Sequence, residues 1–213
     1  MSDFIKEGAD LAMNSKYDKA AVRKVTLLQF ALMAALLVFA FVLYYFLTVR
    51  SSGQWIGLFP IDLQLSTWLW LIPGCTIPLL IFYVFLKLVP SMDSIYDENV
   101  KTVAEIYSLT FMVGYFIVNA FIEELLFRGA LQYALGILPT VVLFTAAHVS
   151  YYKKPLMLVE VFVLGLFLGV LYELCQSLWL CTVAHAFYNW IVMWLIKTGR
   201  IDYQAKQASM PIE

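Results

Sequence analysis

The feature that most constrains the fold is a series of apolar stretches with almost no charge. Val25 to Val49 holds no charged side chain, and Ser177 to Ile196 repeats this pattern. A helix needs about 20 apolar residues to cross the hydrocarbon of a bilayer, and both stretches are long enough. The chain is 62% apolar and 14% charged, whereas soluble domains carry about 25% charged residues. We therefore expect an all-α, polytopic transmembrane helix bundle in the cell membrane, with the lipid bilayer as its main partner.

Six apolar segments, the fourth of them short, define the expected topology. The predicted spans are 25–49, 68–89, 102–134, 139–152, 156–174 and 177–196. They divide the chain into a polar N-terminal segment (1–24), two spans with their loops (25–101), a core of four helices (102–196) and a polar C-terminal tail (197–213). A cytoplasmic N-terminus puts most of the 14 Lys and Arg residues on the inner side. We therefore expect both termini in the cytoplasm.

Charge and cysteine content exclude two further classes. With 14 basic and 15 acidic residues the net charge is −1, so the chain lacks the basic face that binds nucleic acid. The three cysteines, Cys75, Cys175 and Cys181, follow no disulfide or metal-binding pattern.

Several polar side chains fall inside the predicted spans, where each ionisable group costs free energy unless it has a partner or a function. They are Glu123, Glu124 and Arg128 in the third segment, His148 in the fourth, and His185 and Asn189 in the sixth. From the expected outer turns, a helical rise of about 1.5 Å per residue puts the two histidines, Glu123 and Asn189 within a slab roughly 6 Å thick. Groups on three helices can cooperate only at a shared depth, so this coincidence favours a site.

Helical spacing sorts these residues further. Glu124 and Arg128 are four apart and are expected to pair on one face. Glu123 points about 100° away and stays available to the bundle interior. His185 and Asn189 are also four apart and project from one face of the sixth segment.

The fifth segment carries features that we expect to be structural. Glu160 and Glu173 lie near its ends and are expected at the membrane interface, without a chemical role. Gly165 and Gly169 form a pair of small residues that predicts a close helix crossing.

The polar set suits one class of reaction. A carboxylate beside an imidazole is a competent general base for water, and His148 can hold that water in line. His185 and Asn189 supply donors for a developing oxyanion. No serine or cysteine has the surroundings that activate a nucleophile. The residues therefore predict hydrolysis of an amide by activated water, with no cofactor.

Three motifs carry a resemblance to a known family. Glu123-Glu124-x-x-x-Arg128, Phe144-x-x-x-His148 and His185-x-x-x-Asn189 resemble the motifs of the CAAX-protease and bacteriocin-processing family, also called Abi. That family contains intramembrane proteases, among them the eukaryotic prenyl-protein endopeptidase. The resemblance implies that Glu123 and His148 activate water while His185 and Asn189 form the oxyanion hole. Glu124 and Arg128 are then supporting residues.

The resemblance covers roughly 121–190 and implies an intramembrane endopeptidase. Its substrate is expected to be a peptide or a membrane-associated protein, in bacteriocin or pheromone processing or in self-immunity. In the family the turn after the first motif is often basic, and the chamber is thought to open to the cytosol. Here that turn, ALQYALGILP, has no basic residue, and the charge distribution places it outside.

Other functions remain as alternatives. Glu123, His148 and His185 form a legitimate ligand set for a zinc-dependent protease, although no HExxH helix is present. The same buried groups suit a small ion- or proton-coupled transporter, although the two halves of the chain show no repeat. A non-enzymatic immunity or scaffold protein with a vestigial site is the third alternative.

Overall fold

The computed structural model describes residues 18–59, 61, 64–88 and 98–200, and this part of the chain is helical without strands. The helices, numbered α1 to α7 in chain order, are Lys19–Tyr44, Leu71–Leu88, Glu98–Ile106, Leu109–Glu124, Ile137–Ala147, Pro155–Cys175 and Leu178–Lys197. Shorter helical pieces accompany them: Tyr45–Val49 (π-helical) and Arg50–Ser52 after α1, Leu65–Trp68 before α2, Leu125–Gln132 (π-helical) and Tyr133–Leu135 after α4, and the 3₁₀ turn Val149–Tyr151 after α5. The expected all-α polytopic bundle is confirmed.

Five helical stretches of the described residues are long and apolar enough to cross a membrane. They are Lys19–Ser52, Leu65–Lys87, Leu109–Leu135, Pro155–Cys175 and Leu178–Lys197. The fourth predicted span forms α5, which has 11 residues and is about 16 Å long. That is about half of the hydrocarbon thickness, so α5 alone is too short to cross, and five of the six predicted spans are long enough in the part of the chain that the structure describes.

The third predicted span begins later than its sequence indicates. It was expected from Thr102 as one stretch, whereas the structure divides it at Ser108. The Ser108 side chain accepts a hydrogen bond from the Phe111 backbone N–H at 3.1 Å and caps α4. Lys197 Nζ donates to the carbonyls of Ala104 (2.5 Å) and Tyr107 (3.0 Å), which ties this break to the end of α7.

The segment 51–59 packs onto one end of the bundle, which we call the connector end. Leu58 is buried, and its carbonyl accepts a hydrogen bond from Trp179 Nε1 at 3.0 Å. The Leu178 backbone N–H, at the start of α7, donates to the Gly57 carbonyl at 2.9 Å. These two hydrogen bonds tie the segment to the start of α7.

Two polar side chains join α6 to the long helix that contains α4. Arg128 Nη2 donates to the Gly165 carbonyl and Gln132 Nε2 to the Gly169 carbonyl, both at 2.9 Å. A Cβ added at Gly165 would lie 2.9 Å from Phe144 Cδ1. The predicted close crossing is therefore present, and its glycines also let side chains reach the backbone of α6.

Candidate active site

The residues predicted from the sequence to be catalytic line one cavity of about 300 Å³. Glu123 comes from α4, His148 follows α5, and both His185 and Asn189 come from α7. Other lining residues, such as Met157, lie near the start of α6. The cavity thus extends toward the end of the bundle where α4 and α6 begin and α7 ends, which we call the cavity end.

Glu123 is held by a neighbour on its own helix. Its Oε1 accepts a hydrogen bond from Asn119 Nδ2 at 2.6 Å, and its Oε2 lies 3.8 Å from His185 Nε2. The side chain is 23% exposed, in contrast to the fully buried Glu124. Asn119 also lines the cavity, and its spacing of four residues from Glu123 is a signal that sequence reasoning missed. One oxygen of Glu123 is therefore fixed while the other remains directed at His185.

The neighbouring Glu124 contacts two buried side chains, those of Arg128 and His185. Its Oε1 accepts from Arg128 Nη1 at 3.1 Å, as the helical spacing predicts, and contacts His185 Nδ1 at 2.7 Å. Because a carboxylate paired with arginine accepts hydrogen bonds, His185 donates from Nδ1. Its Nε2 then faces Glu123, and it can donate there only when the ring carries a second proton.

His148 directly follows α5, and its backbone angles are φ −83° and ψ 55°. Its Nδ1 lies 2.7 Å from the Phe144 carbonyl oxygen. A carbonyl only accepts, so Nδ1 carries the proton, and Nε2 of the neutral ring keeps a lone pair. The Arg128 guanidinium lies 4.8 Å from the centre of the Phe144 ring. Phe144 therefore links the first motif to the orientation of His148.

Glu160 does not lie where the sequence predicts. We expected it at the membrane interface without a chemical role, but it lines the same cavity as Glu123. The Tyr188 hydroxyl donates a short hydrogen bond to Glu160 Oε1. Glu160 Oε2 is buried and accepts no hydrogen bond from the described part of the chain. Sequence reasoning missed this pair because its two members lie on different helices.

A zinc site is the alternative use of these donor side chains. Among the residues that the structure describes, no three His, Cys, Asp or Glu side chains are grouped so that they could hold a metal ion. His185 donates from Nδ1 to Glu124, whereas its Nε2 lies 3.8 Å from Glu123 Oε2. The zinc alternative therefore lacks a preformed ligand set, and the absence of a cofactor stays a prediction.

The turn after the first motif lies away from the residues that line the cavity. Ile137, directly after Gly136, contacts α6 at Gly169, toward the connector end. The lysines Lys153 and Lys154 stand at the opposite end of α6, next to the residues that line the cavity. The lack of a basic residue in the turn therefore says nothing about the side from which the cavity is reached.

Fold and site together define a class: a polytopic α-helical membrane protein with a polar cavity of acidic, histidine and asparagine side chains between its helices. Residues 105–191 match the family described as type II CAAX prenyl endopeptidase, Rce1-like. The resemblance to CAAX proteases is thereby confirmed over these residues, which include Glu123, Glu124, Arg128, His148, His185 and Asn189.

Other comparisons add little about activity. The chain is 33% identical over 85 residues to "Uncharacterized protein YpbD" of Bacillus subtilis (strain 168). The aligned part is 40% of this chain and 42% of that protein, so the chain spans less than half the length of the curated relative it matches. No solved structure matches this chain.

Proposed function

We propose that this protein is an intramembrane endopeptidase that hydrolyses a peptide bond with a water molecule activated by Glu123 and His148. The observation that carries the proposal is the shared cavity, in which side chains of three helices meet. The match of residues 105–191 to the CAAX endopeptidase family supports the same reaction.

The two activating groups have complementary roles. Glu123 Oε2, which lies 3.8 Å from His185 Nε2, takes the proton of the attacking water. His148 Nε2 accepts a second hydrogen bond from the water and holds it in line, because its Nδ1 is committed to the Phe144 carbonyl. The oxygen adds to the substrate carbonyl, and Glu123 returns the proton to the leaving amine.

His185 and Asn189 stabilise the negative charge that develops on the carbonyl oxygen. Both line the cavity from α7, and Asn189 offers an amide donor. His185 can donate from Nε2 when the ring carries a second proton, and Glu124, 2.7 Å from Nδ1, is then its counter-ion. Such donors act strongly in a site with little water. Arg128 is a positioning residue, since it holds Glu124 at 3.1 Å and does not line the cavity.

The substrate is a peptide or a membrane-associated protein that enters from the cavity end. Lys153, Lys154 and Lys197 lie at that end, and the charge distribution of the loops assigns it to the cytoplasm. Bacteriocin or pheromone precursors and peptides that threaten the host membrane are the substrate types in this proposal.

The test compares peptides in cells that carry wild-type protein, Glu123→Ala, or the matched control Glu173→Gln. Glu173 accepts a hydrogen bond from Gln132 at the connector end and does not line the cavity. We expect a peptide precursor to accumulate in the Glu123→Ala cells alone, and the purified wild-type protein to cleave it. Full biological activity of Glu123→Ala would instead indicate an immunity protein or a scaffold. Stoichiometric zinc together with inhibition by chelators would favour the metalloprotease.

A further inference from the structure

A second carboxylate shares the cavity with Glu123. Glu160, in the second turn of α6, lines it from the opposite helix. The Tyr188 hydroxyl satisfies one of its oxygens, whereas Oε2 is buried and accepts no hydrogen bond from the described residues. Hydrolysis as proposed above has no use for this group, so its position on the cavity wall needs another explanation.

The cavity is acidic. Among the described residues that line it, Glu123 and Glu160 are carboxylates and none is a lysine or arginine. Arg128 is occupied by Glu124 and by the Gly165 carbonyl. A carboxylate at membrane depth without a cationic partner costs several kcal/mol, and a cationic group of a ligand would remove that cost. The lining therefore favours a cation over an anion.

Apolar side chains surround this carboxylate. Met157 and Leu164 of α6 and Met193 of α7 also line the cavity. A lysine or arginine side chain packs its aliphatic part on such surfaces and extends its charged end to a carboxylate. We propose that Glu160 forms a specificity subsite for a lysine or arginine side chain of the substrate, close to the scissile bond. This inference rests on the proposed function, because it assigns a feature of the substrate.

The test uses a library of acetylated and amidated hexapeptides in which each position in turn holds lysine, norleucine or glutamate. The library is passed over immobilised Glu123→Gln protein, which cannot cleave it if the proposed function is right, and retained peptides are identified by mass spectrometry. At one position we expect lysine to be retained over norleucine by about 10- to 100-fold, the effect of a hydrogen bond to a charged group. Glutamate at that position is expected to be retained least.

Two further variants identify the group responsible. Adding Glu160→Gln to the Glu123→Gln protein removes the charge but keeps an oxygen that accepts from Tyr188, so the lysine preference is expected to disappear. Adding Glu173→Gln neutralises a carboxylate of the same helix outside the cavity, and the preference is expected to remain. Equal retention of lysine and norleucine peptides, or a preference that survives Glu160→Gln, overturns the subsite.

A parallel digest separates this inference from the proposed function. Wild-type protein is expected to cleave lysine peptides faster than norleucine peptides, and Glu160→Gln to cleave both at the norleucine rate. If wild-type protein cleaves nothing while retention still depends on Glu160, the endopeptidase is wrong and the cation subsite stands. If cleavage occurs without any dependence on Glu160, the endopeptidase stands and the subsite is wrong.

Discussion

The two ends of the bundle differ in what their polar side chains contact. At the connector end these side chains bind backbone carbonyls: Tyr44 the carbonyl of Ile56 at 2.9 Å, and Thr48 that of Gly129 at 2.5 Å. At the cavity end Glu123 and His148 each use one polar atom for the protein and leave the other for the cavity. Glu160 lines the same cavity, with one oxygen bound to Tyr188 and the other buried without a hydrogen bond from the described residues. Polar residues in a membrane protein thus divide into those that join helices and those that serve a ligand.

This difference separates stability from activity. Hydrogen bonds to backbone carbonyls hold helices at fixed separations, and their loss is expected to loosen the bundle. Side chains with an atom left for the cavity add little to the packing, and their loss is expected to stop the reaction. Matched substitutions at the two ends test whether the separation is real.

The largest effect is expected from the activating pair. Glu123→Gln and His148→Ala should each lower the rate of peptide cleavage by about 10²- to 10⁴-fold, because each removes a group that handles the proton or the water. The midpoint of thermal unfolding in detergent is expected to stay near the wild-type value. At the connector end, Gln132→Ala should lower the midpoint of thermal unfolding and leave the cleavage rate near the wild-type value, since it removes the donor to the Gly169 carbonyl. Normal cleavage by Glu123→Gln would show that the assigned base is wrong.

A substitution at Arg128 tests whether its buried pair with Glu124 stabilises the fold. Arg128→Ala leaves Glu124 without its cation and the Gly165 carbonyl without its donor, both in buried surroundings. Breaking a buried ion pair in this way costs about 3–5 kcal/mol, so we expect a lower unfolding midpoint and a lower yield of folded protein. Arg50→Ala is the control, because Arg50 is exposed near the Phe46 ring. An unchanged midpoint for Arg128→Ala would contradict a structural role for the pair.

The sequence was enough to predict those features that depend on a single helix. Runs without charge gave the spans, and the spacing of four residues gave the Glu124–Arg128 pair. Sequence reasoning missed the contact of Glu124 with His185, 61 residues away in the chain, because no local pattern encodes which helices meet. It also merged α3 with α4, since a serine cap at Ser108 is a weak signal beside strong apolar periodicity.

Two glycines offer the same substitution at the two ends. A Cβ at Gly129 would lie 2.9 Å from Tyr44 Cδ2, and one at Gly165 would lie 2.9 Å from Phe144 Cδ1. Overpacking of this kind costs about 1–3 kcal/mol, so both alanine variants should unfold at lower temperature. Gly165→Ala alone should also slow cleavage, because Phe144 carries the carbonyl that orients His148. Equal loss of activity in both variants would contradict the proposal that the connector end contributes to stability and the cavity end to activity.

The smallest effects come from two tryptophans that make the same bond at opposite ends. Trp179 Nε1 donates to the Leu58 carbonyl at 3.0 Å, and Trp190 Nε1 donates to the Leu109 carbonyl at 3.2 Å. Each change to phenylalanine removes one hydrogen bond and costs about 1 kcal/mol of stability. Trp190 follows Asn189 in α7 and holds the start of α4, the helix that carries Glu123. Trp190→Phe is therefore expected to slow cleavage severalfold, measured as kcat, while Trp179→Phe leaves it unchanged. A slower Trp179→Phe enzyme would mean that the connector end also takes part in the reaction.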